Sequence, residues 1–148
     1  MSEQAPQGRR DAAPGSQRRQ NAELLREGID AFNRGDHPAV TALFDERVEC
    51  RVGPGLVNTG VWYGHDGYLE MITAWGEAWR EIEMQIAAVE VLDDRHLIAE
   101  IDQRAVGAAS GAPVEMTVYG VLEVRDGLAV RFHLYPDREA ALAAATRS

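Results

Sequence analysis

Asp102, Gln103 and Arg104 follow one another in a strand-like segment, and His133 lies in another near the C-terminus. Side chains alternate along a strand, so Asp102 and Arg104 share one face and Gln103 points to the other. An aspartate–arginine pair with a histidine nearby is credible acid–base equipment. Gln103 offers different chemistry. A buried amide has up to four hydrogen bonds to satisfy and is costly to leave without any. It can orient a ligand carbonyl or hydroxyl in an apolar cavity, or act as a strut bonded to a loop backbone, to Tyr63 or to Trp62. Gln103, Asp102 and His133 are therefore the candidates for a catalytic role.

Which face is buried decides among them. Period-2 alternation predicts strands over about Leu97–Val106, Val114–Val124 and Ala129–Tyr135. One face carries Leu97, Ala99, Ile101, Gln103 and Ala105, then Met116, Val118, Gly120, Leu122 and Val124, then Val130, Phe132 and Leu134. The other carries Glu100, Asp102, Arg104, Glu115, Thr117, Tyr119, Glu123, Arg131, His133 and Tyr135. A slip of one residue would turn a strand over. It would bring Asp102 or His133 inward but expel Ile101, Phe132 or Leu134, at about 1.5–3 kcal/mol for each side chain. Asp102 and His133 are expected outside, in a mixed-charge face shared with Glu49 and Arg51.

Composition narrows the chemistry further. All fifteen basic residues are arginine, so Schiff-base and P-loop mechanisms, which need lysine, are excluded. The net charge is −9, and an acidic protein is a poor partner for nucleic acid. No stretch approaches the roughly 20 apolar residues of a membrane span. The N-terminus lacks the apolar core of a secretory signal. The lone Cys50 rules out an internal disulfide and suits the cytoplasm. His37, His65, His96 and His133 show no metal-ligand spacing, so neither metal nor cofactor is expected.

The elements that must position these residues are legible in outline. Residues 1–20 hold no leucine, isoleucine, valine or aromatic residue and read as a disordered tail. A helix is expected over about Asn21–Arg34, with Leu25, Ile29 and Phe32 on its inner stripe and Gly35 just past its C-cap. Asp36 should cap a short second helix with Pro38 in its first turn. A strand at Val48–Val52 and a loop at Gly53–Gly60 follow. A third helix is expected from Asp66 to about Glu81, His65 and Asp66 capping it and Tyr68, Ile72, Trp75 and Trp79 forming its stripe. Met84–Leu92 reads as the next strand, and Asp137 should cap a last helix. Helices followed by an antiparallel meander make an α+β domain with helices on one face of the sheet.

The order AFNRGD, AVTALF, GVWYGHDGYLEMITAW and GVLEVRDGLAVRFHLYPDREAAL resembles the SnoaL-like, polyketide cyclase-like branch of the nuclear-transport-factor-2-like superfamily, over about Ala22–Ala145. The resemblance implies one domain, residues 21–148, with a strongly curved antiparallel sheet closed into a cone by N-terminal helices around an apolar cavity. It implies a homodimer through the outer sheet face. Relatives include ketosteroid isomerases, polyketide cyclases, epoxide hydrolases and non-catalytic association modules, so the fold alone cannot name a function.

Carried over position by position, the resemblance is instructive for what it lacks. The catalytic aspartate of the cyclases and hydrolases falls on Leu134, and the cyclases' histidine on Gly120. The hydrolases' second aspartate and arginine fall on Gln103 and Ile101. A ketosteroid isomerase's base and oxyanion tyrosine would fall near Val52 and Gly28. The expectation is a binder of a small apolar ligand, polycyclic and of the polyketide, terpenoid or steroid kind. Its pocket would be lined by Ile29, Phe32, Cys50, Val52, Trp75, Trp79, Ile101, Gln103, Met116, Val118, Phe132 and Leu134. A cyclisation needing only shape and one hydrogen bond would suit such a pocket. The alternatives are an acid–base isomerase, cyclase or epoxide hydrolase using Asp102 or His133, and an association module whose cone is filled by its own side chains.

Overall fold

Alternating apolar residues cannot bury one face without pairing into a sheet, and here six strands do so. The computed structural model describes residues 14–147. The elements run α1 (Pro14–Asn33), α2 (His37–Thr41), β1 (Phe44–Val52), β2 (Gly60–Tyr63), α3 (Gly64–Ala78), β3 (Trp79–Val91), β4 (His96–Gly107), β5 (Pro113–Arg125), β6 (Leu128–Tyr135) and α4 (Arg138–Arg147). The strand order is β2-β1-β6-β5-β4-β3. Every neighbouring pair is antiparallel except β1 with β6, which is parallel. Helices α1 to α3 cover the inner face, which with them forms the main core. A second, smaller core lies on the outer face, where α4 packs on Ile98, Val121 and Tyr135.

The strand register keeps the expected faces over most of their length. Leu97, Ala99, Ile101, Val118, Leu122 and Leu134 are buried, while Asp102, Arg104, Glu115 and Thr117 are exposed. One residue departs. Glu123 pairs with Arg131 but Val124 with Ala129, so Val130 is the extra residue of a bulge. Ala129, fully buried, takes the inward place expected of Val130.

Helix boundaries follow local chemistry where that chemistry is strong. After α1, Gly35 has φ +74°. Its N–H donates to the Phe32 carbonyl and that of Asp36 to the Ala31 carbonyl, both at 2.9 Å, which is a Schellman closure. Asp36 then caps α2, its side chain accepting from Ala39 N–H at 3.2 Å. Asp137 does the same for α4 through Ala140 N–H at 2.8 Å.

Several boundaries differ from the sequence reading; β1, for one, starts at Phe44 and not at Val48. Helix α1 starts at Pro14, inside the stretch read as tail. Polar bonds hold these apolar-poor turns: Gln17 donates to Asn21 Oδ1 (2.8 Å), Arg18 to Asp94 Oδ1 (3.0 Å) and Asn21 to the Asp94 carbonyl (2.7 Å). The expected disorder of residues 1–13 lies outside the described residues. Residues 60–63 form a strand, β2, because the loop returns to pair with β1. Helix α3 spans Gly64–Ala78 and so ends before Trp79, which adopts φ −132°, ψ 141° and pairs with Gly107. The sheet ladder outweighs the helical spacing of Trp75 and Trp79. His65 and Asp66 sit inside the first turn of α3, and His65 Nε2 lies 3.0 Å from the Phe44 carbonyl.

Candidate functional site

The interior of the cone holds two small apolar voids. The deeper one, about 50 Å³, lies under α1, α2 and α3 and is bordered by Ile29, Phe32, Tyr68, Trp75, Leu122 and Phe132, among others. The outer one, about 30 Å³, is bordered by Val52, Leu56, Val57, Trp75, Trp79, Gln103, Met116, Val118 and Leu134. Both are small beside the roughly 300–1,000 Å³ of ordinary ligand pockets.

Most residues expected to line a pocket border one of these voids, but they do not enclose a single space. Cys50 and Ile101 border neither; both are fully buried in the packed core. Burial, then the neighbouring Glu49, pushes the Cys50 thiol up to about 12, so it stays protonated and inert at neutral pH. The sequence reading missed Leu56 and Val57 on the loop after β1, and Tyr68, Met71 and Met84 around the deep void. Tyr68 and Met71 face the interior from the middle of α3, and Met84 from β3.

Gln103 stands at the outer void and at a surface groove beside it. Strand alternation carries it inward opposite Met116 and Met84. Neither Tyr63 nor Trp62 bonds it. Among the described residues its amide has no hydrogen-bond partner, so its donors and acceptor remain available.

Asp102 and His133 lie on the other side of the sheet. Asp102 is exposed and accepts a hydrogen bond from Thr117 Oγ1 at 3.0 Å. His133 is 8% exposed and sits on the outer face between β1 and β6. Its Nδ1 is 3.1 Å from the Tyr135 hydroxyl, and its Nε2 is 2.8 Å from Glu49 Oε2 but off the line of a good hydrogen bond. Burial first, and then Arg51 and Arg131, lower its pKa against the opposing pull of Glu49. Asp102 lines the surface groove that Gln103 also reaches, but neither residue borders the two interior voids.

One polar pair does touch the deep void. Tyr68 is 3% exposed, and its hydroxyl lies 2.9 Å from His37 Nδ1. Burial, with Cys50 nearby, raises its pKa far above neutrality. The hydroxyl is thus committed to His37, and the ring is what borders the void. Among the described residues no group of three or more histidine, cysteine, aspartate or glutamate side chains is placed to hold a metal ion. Among the described residues no helix is long and apolar enough to cross a membrane.

Residues 25–132 match the model of the SnoaL-like domain family. No curated protein matches the sequence. Among solved structures, an NTF2-like protein of unknown function from Burkholderia pseudomallei superposes with a TM-score of 0.73 at 21% identity, over 86% of this chain and 98% of that one. A candidate polyketide cyclase from Xanthomonas campestris pv. campestris gives 0.71 at 20% identity, over 87% and 98%. TerC, co-crystallised with polyporic acid, gives 0.73 at 16% identity, over 87% and 99%. At these identities the likeness is one of fold.

Proposed function

This chain belongs to the SnoaL-like domain family, and we propose on that premise that it is a small-molecule-binding protein. Its ligand is largely apolar and uncharged, of the polyketide or terpenoid kind, and is held in the cone by shape and by the Gln103 amide. The observation that carries this reading is an unpartnered amide at the edge of an apolar void. Every other polar group named at the interior already has a partner or is held neutral. The co-crystallisation of TerC with polyporic acid supports a small molecule as the kind of partner this fold receives. Any reaction here is one driven by holding a reactive conformer, with one hydrogen bond to a developing carbonyl or hydroxyl, rather than by proton transfer.

The voids are smaller than such a ligand, so binding requires side chains at the outer void to move. Val57, 52% exposed on the loop after β1, is the most exposed of its lining residues. A second reading follows from the same volumes: an association module whose cone is filled by its own side chains. Thermal shift separates the two. A binder's melting temperature rises with ligand concentration, because the ligand stabilises only the folded state. For a ligand carrying one carbonyl or hydroxyl, Gln103→Leu should weaken binding about tenfold, the worth of one hydrogen bond. Unchanged affinity in Gln103→Leu would refute the anchoring role. No shift with any member of a polycyclic panel would favour the association module.

The reading includes a homodimer formed through the outer sheet face, in a reducing, cytoplasmic setting that suits the single thiol. Helix α4 already occupies part of that face, so the contact would use the strip of Asp102, Arg104, Glu115 and Thr117.

A further inference from the structure

The two voids inside the cone have one side chain in common. Trp75, in the last turn of α3 and 7% exposed, borders both. Among the described residues no other does. The indole meets Phe32 edge-on, with ring centroids 6.1 Å apart and planes at 79°. On β5 the voids lie at successive inward levels, Leu122 at the deep one and Val118 at the outer one. Gly120 lies between them. The space a Cβ would take there is approached by Phe132 (3.2 Å), Ile101 (3.4 Å) and Leu134 (3.5 Å). These side chains pack over Gly120 between the two levels, and Trp75 is the side chain that borders the space on either side.

The two compartments differ in chemistry. Around the deep one the hydroxyl of Tyr68 is spent on His37, leaving hydrocarbon and aromatic surface. The outer one has the free amide of Gln103. We infer that Trp75 sets the length of ligand the cone accepts, dividing a single two-compartment chamber. With Trp75 shortened, the joined chamber takes an elongated, uncharged molecule of two rings, its hydrocarbon end under the helices and its one oxygen at Gln103; the native indole holds the ligand to a shorter length. This inference rests on the ligand-binding reading above and adds an orientation and a size limit to it.

The test uses 4-hydroxybiphenyl, biphenyl and p-cresol as probes, with calorimetric titration of the full chain, Trp75→Ala, Trp75→Leu and the double variant Trp75→Leu/Gln103→Leu. Trp75→Leu keeps an apolar filler should Trp75→Ala fail to fold. Shortening Trp75 should tighten 4-hydroxybiphenyl at least tenfold and leave p-cresol within about threefold. Most of the gain over biphenyl should vanish in the double variant. A hole made anywhere in an apolar core also accepts small aromatics, so dependence on Gln103 is the discriminating readout. If the double variant keeps the whole gain, the orientation is wrong. If wild type binds 4-hydroxybiphenyl as tightly as the Trp75 variants, the size limit is wrong and the ligand-binding reading stands. If folded wild type and Trp75→Leu bind none of the probes, both fall.

Discussion

Two residues separate chemistry that merely looks available from chemistry in reach of a site. His133 has the neighbours of a catalytic histidine, a carboxylate at 2.8 Å and a phenol at 3.1 Å, yet it faces away from the voids. Its consequence is for stability. Burial lowers its pKa from 6.5, so between that value and the lower folded one the unfolded chain binds the extra proton and the native chain does not. Stability contributed by neutral His133 is therefore complete above about pH 6.5 and is lost as the pH falls through the folded pKa. Urea titrations at a series of pH values should show this slope, and His133→Gln should flatten it. A slope unchanged in that variant would assign the acid sensitivity to another group. Gln103 is the opposite case, unremarkable by type but placed where a ligand's oxygen can meet it.

Among the elements, β3 has the most to manage. It is long, lies at the edge of the sheet and carries register shifts after Arg80 and after Ile86. Glu81 takes φ +56° within the first of these, the local kink of a bulge. Asn33, the last residue of α1, supplies what a missing neighbouring strand would have supplied. Its Nδ2 donates to the Met84 carbonyl at 2.8 Å, and its Oδ1 accepts from the Met84 N–H at 2.9 Å. This pins α1 to the edge and blocks strand addition at that point. Asn33→Ala leaves both backbone groups of a buried residue unpaired, and should cost about 1–3 kcal/mol in a denaturant titration. Asn33→Asp, which keeps the acceptor and loses the donor, should cost less than the alanine. Equal stability in all three proteins would show that water replaces the bonds.

At the scale of the whole molecule the outer face carries two arrangements. Near α4 it is apolar and covered; beyond it, Arg104 and Glu115 approach at 3.7 Å in an exposed pair. Such charges add little affinity but select the register of a partner. If the proposed dimer uses this strip, sedimentation should find a dimer in the native protein and a weaker one in Arg104→Glu. A wild-type monomer at high micromolar concentration would remove this part of the reading. The sequence by itself determined the strand faces, the caps at Asp36 and Asp137, the Gly35 helix end and the outward placing of Asp102. Each follows from side-chain period or from a bond to a near neighbour in the chain. It also carried the family, through the order of its segments from AFNRGD to LYPD. Only the tertiary structure decided that Trp79 belongs to a strand, that Ala129 replaces Val130 in the core and that Asn33 serves the edge of the sheet. It alone divided the interior at Trp75. These outcomes depend on pairing between distant segments, and there the hydrogen bonds and volume of the partner override the local preference of the chain.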